Sequence, residues 1–171
     1  MAFYVRKISR AKWPDQPCDI KELRSDAVSD IRTQNDSLSV WKIDSMEELD
    51  DAVLALAGSS KSECIETVSV IWIEDSELQN LNIYIDDTEP GDTIVSDKEK
   101  DHRNLVKLTY HKMGDISKVI MKEIADDHYK RYTKGTLKTI FGKAYTENRI
   151  NKEKCLPKMI AEIEKAAGAR K

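Results

Sequence analysis

Val68-Ser69-Val70-Ile71-Trp72-Ile73 decides how the chain is read. It is the longest apolar run rich in β-branched and aromatic residues. With Ile65 and Thr67 before it, the segment suits a pleated, buried surface. The acidic, turn-prone residues Glu74, Asp75, Ser76 and Glu77 close it at once. It is therefore expected to be the central strand of a small sheet, with the upstream pieces flanking it.

Two strand-and-helix pairs precede this run. Phe3 to Ile8 reads as a first strand, and Arg6 and Lys7 suggest an edge or a half-exposed face. Ser9 to Pro17 is a loop in which Trp13 is expected to cap the core. Asp19 with Glu22 forms a capping-box-like pair, and Ile20, Leu23, Ala27, Val28 and Ile31 then share a helical face. Asn35, Asp36 and Ser37 end that helix as a turn. Leu38 to Ile43 is the next strand, and the helix before it allows a parallel crossover from the first. Ser45 with Glu48 opens a second helix through Met46, Leu49, Val53 and Leu56, which Gly58 stops.

Downstream of Ile73 the chain turns acidic. Ile83 to Ile85 is a candidate short strand. From Asp86 to Asp101 seven carboxylates face two lysines around Pro90-Gly91, which reads as an exposed loop or linker between two units. His102 onward is mostly helical in pattern. Val106, Leu108 and Tyr110 also alternate as in a strand, but length favours helix. Further helices are expected after Thr133, with Leu137, Ile140, Phe141, Ala144 and Tyr145 inward, and again after the Asn148–Asn151 turn to about Ala167, carrying Leu156, Met159, Ile160 and Ile163 with Pro157 in its first turn. The Ala169-Arg170-Lys171 tail should fray.

The fold expected is α+β or α/β: a three- to four-stranded sheet with two flanking helices, then a C-terminal unit of about three helices. The divisions are 1–85 for the sheet unit, 86–101 for the acidic linker, and 102–171 for the basic helical unit. A length of 171 residues accommodates this as one domain or two small ones.

Composition narrows the function classes. Only 40% of residues are hydrophobic and 35% are charged, which implies a modest core under a charged surface. Cys18, Cys64 and Cys155 are scattered, so neither a disulfide framework nor a C-x-x-C metal site is implied. No signal-peptide pattern and no membrane-length apolar run is present, and a reducing cytoplasm is the expected compartment.

Catalytic patterns are weak. Asp86, Asp87, Glu89 and Asp92 lack the spacing of a calcium loop. Glu74 and Asp75 lack a following E-x-K. His102, His111 and His128 have no ligand partner at helical spacing, and none has an identified nucleophile. Cys155, near a helix start, is the one thiol with a reason to be reactive. Neither phosphate-loop motif occurs, and Thr133-Lys134-Gly135-Thr136 is too common a pattern to decide anything. No cofactor and no metal site is assigned.

Charge distribution is more informative than any motif. The net charge of −3 conceals a C-terminal stretch from His128 with twelve Lys and Arg against four Glu. Within it Lys130, Arg131, Lys134, Lys138, Lys143, Arg149, Lys152 and Lys154 are the candidate partner-binding residues, with Tyr129 and Tyr132 interleaved. The reading is a cytoplasmic accessory or regulatory protein, non-enzymatic, that binds another protein through charge-polarised surfaces. Self-association also fits, and no membrane partner is implied. The alternatives are a nucleic-acid-binding module built on the basic helices, and a metal-dependent hydrolase built on the acidic segment.

Overall fold

A computed structural model describes residues 1–31 and 33–168. The tail expected to fray lies outside them. The described chain is mixed helix and sheet, and its strands are β1 (Phe3–Ile8), β2 (Leu38–Ile43), β3 (Val68–Glu74), β4 (Tyr84–Asp86), β5 (His102–Val106) and β6 (Tyr129–Tyr132). The helices are α1 (Ser25–Val28), α2 (Leu49–Ala57), α3 (Asp75–Asn80), α4 (Tyr110–Ala125), α5 (Lys134–Thr146) and α6 (Pro157–Gly168).

All six strands join one sheet in the order β4-β5-β2-β1-β3-β6, and every neighbouring pair is antiparallel. This corrects the expectation of three to four strands and of a parallel crossover between the first two. β3, expected to be central, is second from one edge, and β1, expected at an edge or on a half-exposed face, lies in the middle with Arg6 half-buried and Lys7 exposed. Arg6 is tolerated there because its guanidinium donates to the carbonyls of Ser39 (2.6 Å) and Asp30 (2.7 Å). Burial pushes its pKa down to about 10.

Side chains alternate between two cores because successive strand residues point to opposite faces. Val5, Trp41, Ile43, Val68 and Val70 meet α2, α5 and α6 on one face. Tyr4, Ile8, Leu38, Val40, Ile71, Ile73 and Leu105 meet α4 on the other, where Trp13 is buried as expected. The result is three layers, with helices on both sides of the sheet.

The helix expected from Asp19 is broken into turns. Asp19 accepts from the Lys21 amide, Ser29 Oγ donates back to the Asp26 carbonyl, and α1 spans four residues. Local side-chain bonds of this kind offer the backbone an alternative to a continuous helix. Asn35 and Asp36 then take φ of 54° each in a tight turn bounded by the Gln34–Ser37 bridge. Asn and Asp tolerate that region better than most residues.

The segment expected to be helical from His102 begins as β5. Thr109, whose hydroxyl accepts from the Lys112 amide, caps α4 and delays it to Tyr110. β6 likewise interrupts the stretch read as mostly helical from His102. Residues 86–101 connect β4 to β5 within the sheet, and Thr93, Ile94 and Val95 are fully buried. Ile94 donates to Gly58 and accepts from the Asn151 amide, so this stretch is bonded to both flanking segments. Among the described residues no helix is long and apolar enough to cross a membrane.

Candidate functional site

The basic residues singled out by charge are largely engaged by carboxylates. Lys130 faces Asp50 at 3.5 Å, Lys134 Glu162 at 2.9 Å, Lys143 Glu147 at 3.9 Å, Lys152 Glu164 at 3.8 Å and Lys154 Glu99 at 2.6 Å. Arg149 reaches Asp51 and Asp97, both at 2.9 Å. Burial alone would lower the Arg149 pKa, but the bonds to Asp97 and Asp51 outweigh it and raise it. Arg131 and Lys138 make no ion pair among the described residues. Lys130 and Arg131 lie on the edge strand β6, where charged side chains blunt unwanted strand pairing.

Asp50, Asp51, Asp97 and Glu99 come from the acidic front half. The two signs therefore meet inside the molecule, on the side where α2, residues 96–101 and the α5–α6 turn converge. Within the acidic segment, Asp86 accepts from Thr88, and Asp92 accepts from Ser59 and Ser60. Among the described residues no three His, Cys, Asp or Glu gather as a metal site. Cys155 does not gain reactivity, because burial raises its pKa.

An apolar groove of about 1140 Å³ opens on the opposite face of the sheet, between residues 20–36 and the first half of α4. Ile20, Leu23, Val28, Leu108 and Met113 line it. Ile20 packs over Gly114 of α4, with its Cγ1 3.8 Å from where a Cβ would stand. Tyr110, in the first turn of α4, is 95% exposed, and Val28 is 44% exposed. Lys107, His111, Asp115 and Lys118 form a polar rim, in which Asp115 pairs with Lys118 at 3.0 Å.

A second, polar cleft of about 640 Å³ lies where β1, β2 and β5 meet the loop after β4. Arg6, Ser39, Glu89, His102 and Asn104 line it. Ser39 and His102 are diagonal across the β2–β5 pairing, since Ser39 faces Asn104 and Trp41 faces His102. Ser39 Oγ is 2.6 Å from His102 Nε2, and His102 Nδ1 is 3.1 Å from the Glu89 carbonyl. The ring packs edge-on to Trp41 at 5.4 Å. Gly91 admits the loop here, since a Cβ on it would collide with the Trp41 ring and stand 2.8 Å from His102 Cβ.

The Ser39–His102 pair was missed in the sequence because 63 positions separate its members, and only the β2–β5 register joins them. The groove was missed because its residues were assigned to the buried faces of two longer helices. Tyr110 in a helix-opening position was the available signal.

No family model matches the chain, and no curated protein or solved structure matches it.

Proposed function

We propose that this chain is a cytoplasmic accessory or regulatory protein that takes an apolar segment of a protein partner into the groove beside α4. The observation that carries this reading is Tyr110, an aromatic side chain 95% exposed at the mouth of an apolar groove. Contiguous apolar surface of this kind is uncommon on a free protein surface and is typical of a docking site. Aromatic anchors also dominate the energetics of many interfaces. An amphipathic helix suits the groove, with its apolar face inward and polar residues at the rim. Burial of the Tyr110 side chain would contribute about 2 kcal/mol to such a complex.

Charge complementarity acts mainly within the chain in this reading, because six of the eight basic candidates are held by carboxylates. The same pairing weighs against the nucleic-acid alternative. Steeply salt-dependent retention on duplex or single-stranded nucleic acid, abolished by Lys134→Glu with Lys138→Glu, would restore that alternative.

Affinity purification at native expression tests the main reading. The wild-type chain should recover a stoichiometric protein partner, and a Tyr110→Ala, Val28→Asp variant should lose it while melting like the wild type. A clean monomer without a companion, or a partner retained by the double variant, would count against the groove.

A further inference from the structure

We propose that the polar cleft is a second, catalytic site: Ser39 is a nucleophile and His102 its general base, acting on small acyl esters. The argument begins with proton placement. The Glu89 carbonyl can only accept, so His102 Nδ1 carries the hydrogen and Nε2 presents a lone pair. That lone pair faces Ser39 Oγ at 2.6 Å, so the hydroxyl donates to it. A nucleophile, a base within hydrogen-bond reach, and a third group fixing the base's tautomer make up the arrangement that activates a serine.

The surroundings separate the roles of the two side chains. His102 is 8% exposed and held by Trp41 and the Gly91 loop, whereas Ser39 is open to the cleft. A buried, immobilised base beside an accessible hydroxyl presents its lone pair without first reorganising. Arg6 and Asn104 line the same cleft. The Arg6 guanidinium bonds to the carbonyls of Ser39 and Asp30, and so braces the backbone that carries Ser39.

The reaction balances with water as the only co-reactant. Ser39 Oγ forms a bond to the ester carbonyl carbon while its proton passes to His102 Nε2. The alkoxide leaves as the C–O ester bond breaks, taking that proton. Water, deprotonated by His102, then attacks the acyl-serine, releasing the carboxylic acid and restoring the Ser39 hydroxyl. Asp86, Glu89 and Asp92 line the cleft against the single guanidinium of Arg6 among the described residues. A local excess of carboxylates favours an ester bearing an ammonium group over a neutral or anionic one.

Diisopropyl fluorophosphate and three p-nitrophenyl esters test this on the full chain, with mass spectrometry locating the adduct. The expected result is phosphorylation of Ser39, lost in Ser39→Ala and at least tenfold slower in His102→Gln, with both variants melting like the wild type. The glycine ester should turn over faster than the acetate, and the acetate faster than the succinate. Folded wild-type protein that takes no label and hydrolyses no ester would leave the Ser39–His102 bond a purely structural one and overturn the proposal. Labelling unaffected by His102→Gln would remove the base, and a reversed ester order would overturn the substrate class.

Discussion

Asp30 ties its own stretch of chain to residues 9–13 through one carboxylate. Its Oδ2 accepts from the Ser9 amide (2.6 Å) and Trp13 Nε1 (3.0 Å), and its Oδ1 from Lys12 Nζ (3.2 Å). Burial pushes this carboxyl's pKa up, but the donated bonds outweigh it and hold it below the usual carboxylate range. The folded state thus favours the charged form. The resulting stability is present above the unfolded-state pKa and is lost as pH falls through the lower folded-state one. Asp30→Asn should cost about 2 kcal/mol at neutral pH. The difference should narrow below pH about 4, where the unfolded carboxyl protonates. Urea melts of both proteins across an acidic pH series check this; a constant gap would mean that the charge is not what Ser9, Trp13 and Lys12 recognise.

Two helical glycines show how the setting of an element decides the sign of one substitution. A Cβ on Gly114 meets only Ile20 Cγ1 at 3.8 Å, an ordinary contact. Gly114→Ala should therefore raise stability by about 0.5–1 kcal/mol through helix propensity and a less flexible unfolded chain. A Cβ on Gly142 meets the backbone of Ala166 and Ala167 at 3.1–3.2 Å, where α5 crosses α6. Gly142→Ala should lower stability by about 1–2 kcal/mol, because that backbone has to move. Thermal melts should shift in opposite directions, and a shared direction would contradict the packing described.

Elements with strong local signals were readable from the sequence. Thr133 caps α5, Gly58 closes α2, Pro157 opens α6, and the Val68–Ile73 run is a strand. β5, His-Arg-Asn-Leu-Val, and β6, Tyr-Lys-Arg-Tyr, are short and carry charged residues in place of an apolar run. Their conformation comes from hydrogen bonds to β2, β4 and β3, which no local window contains. The antiparallel direction of β1 and β2 was equally hidden, because a connection of that length permits either. The basic residues were correctly located but not their partners, since Arg149 meets Asp51 from 98 positions away.

For the molecule as a whole, the charge split along the chain becomes neutralisation in space. Arg149 links α2 to residues 96–101 through Asp51 and Asp97, with Lys98 3.1 Å from Asp101 beside it. Arg149→Met should cost about 1 kcal/mol, a figure that allows for the partial exposure of the guanidinium. The loss should shrink as salt screens the remaining charges. Chemical denaturation with urea at low and high sodium chloride measures both effects, and a salt-independent loss would assign Arg149 to packing instead.

β1 lies between β2 and β3, with registers running from Phe3 against Ile43 and from Phe3 against Glu74. The first strand of the chain is thus the seam between two halves of the sheet, β4-β5-β2 and β3-β6. A chain lacking that strand would expose an open slot with hydrogen-bonding groups on both walls. A synthetic peptide of Phe3 to Ile8 is shaped to fill it, which makes this fold a natural scaffold for a two-piece reporter that assembles on contact.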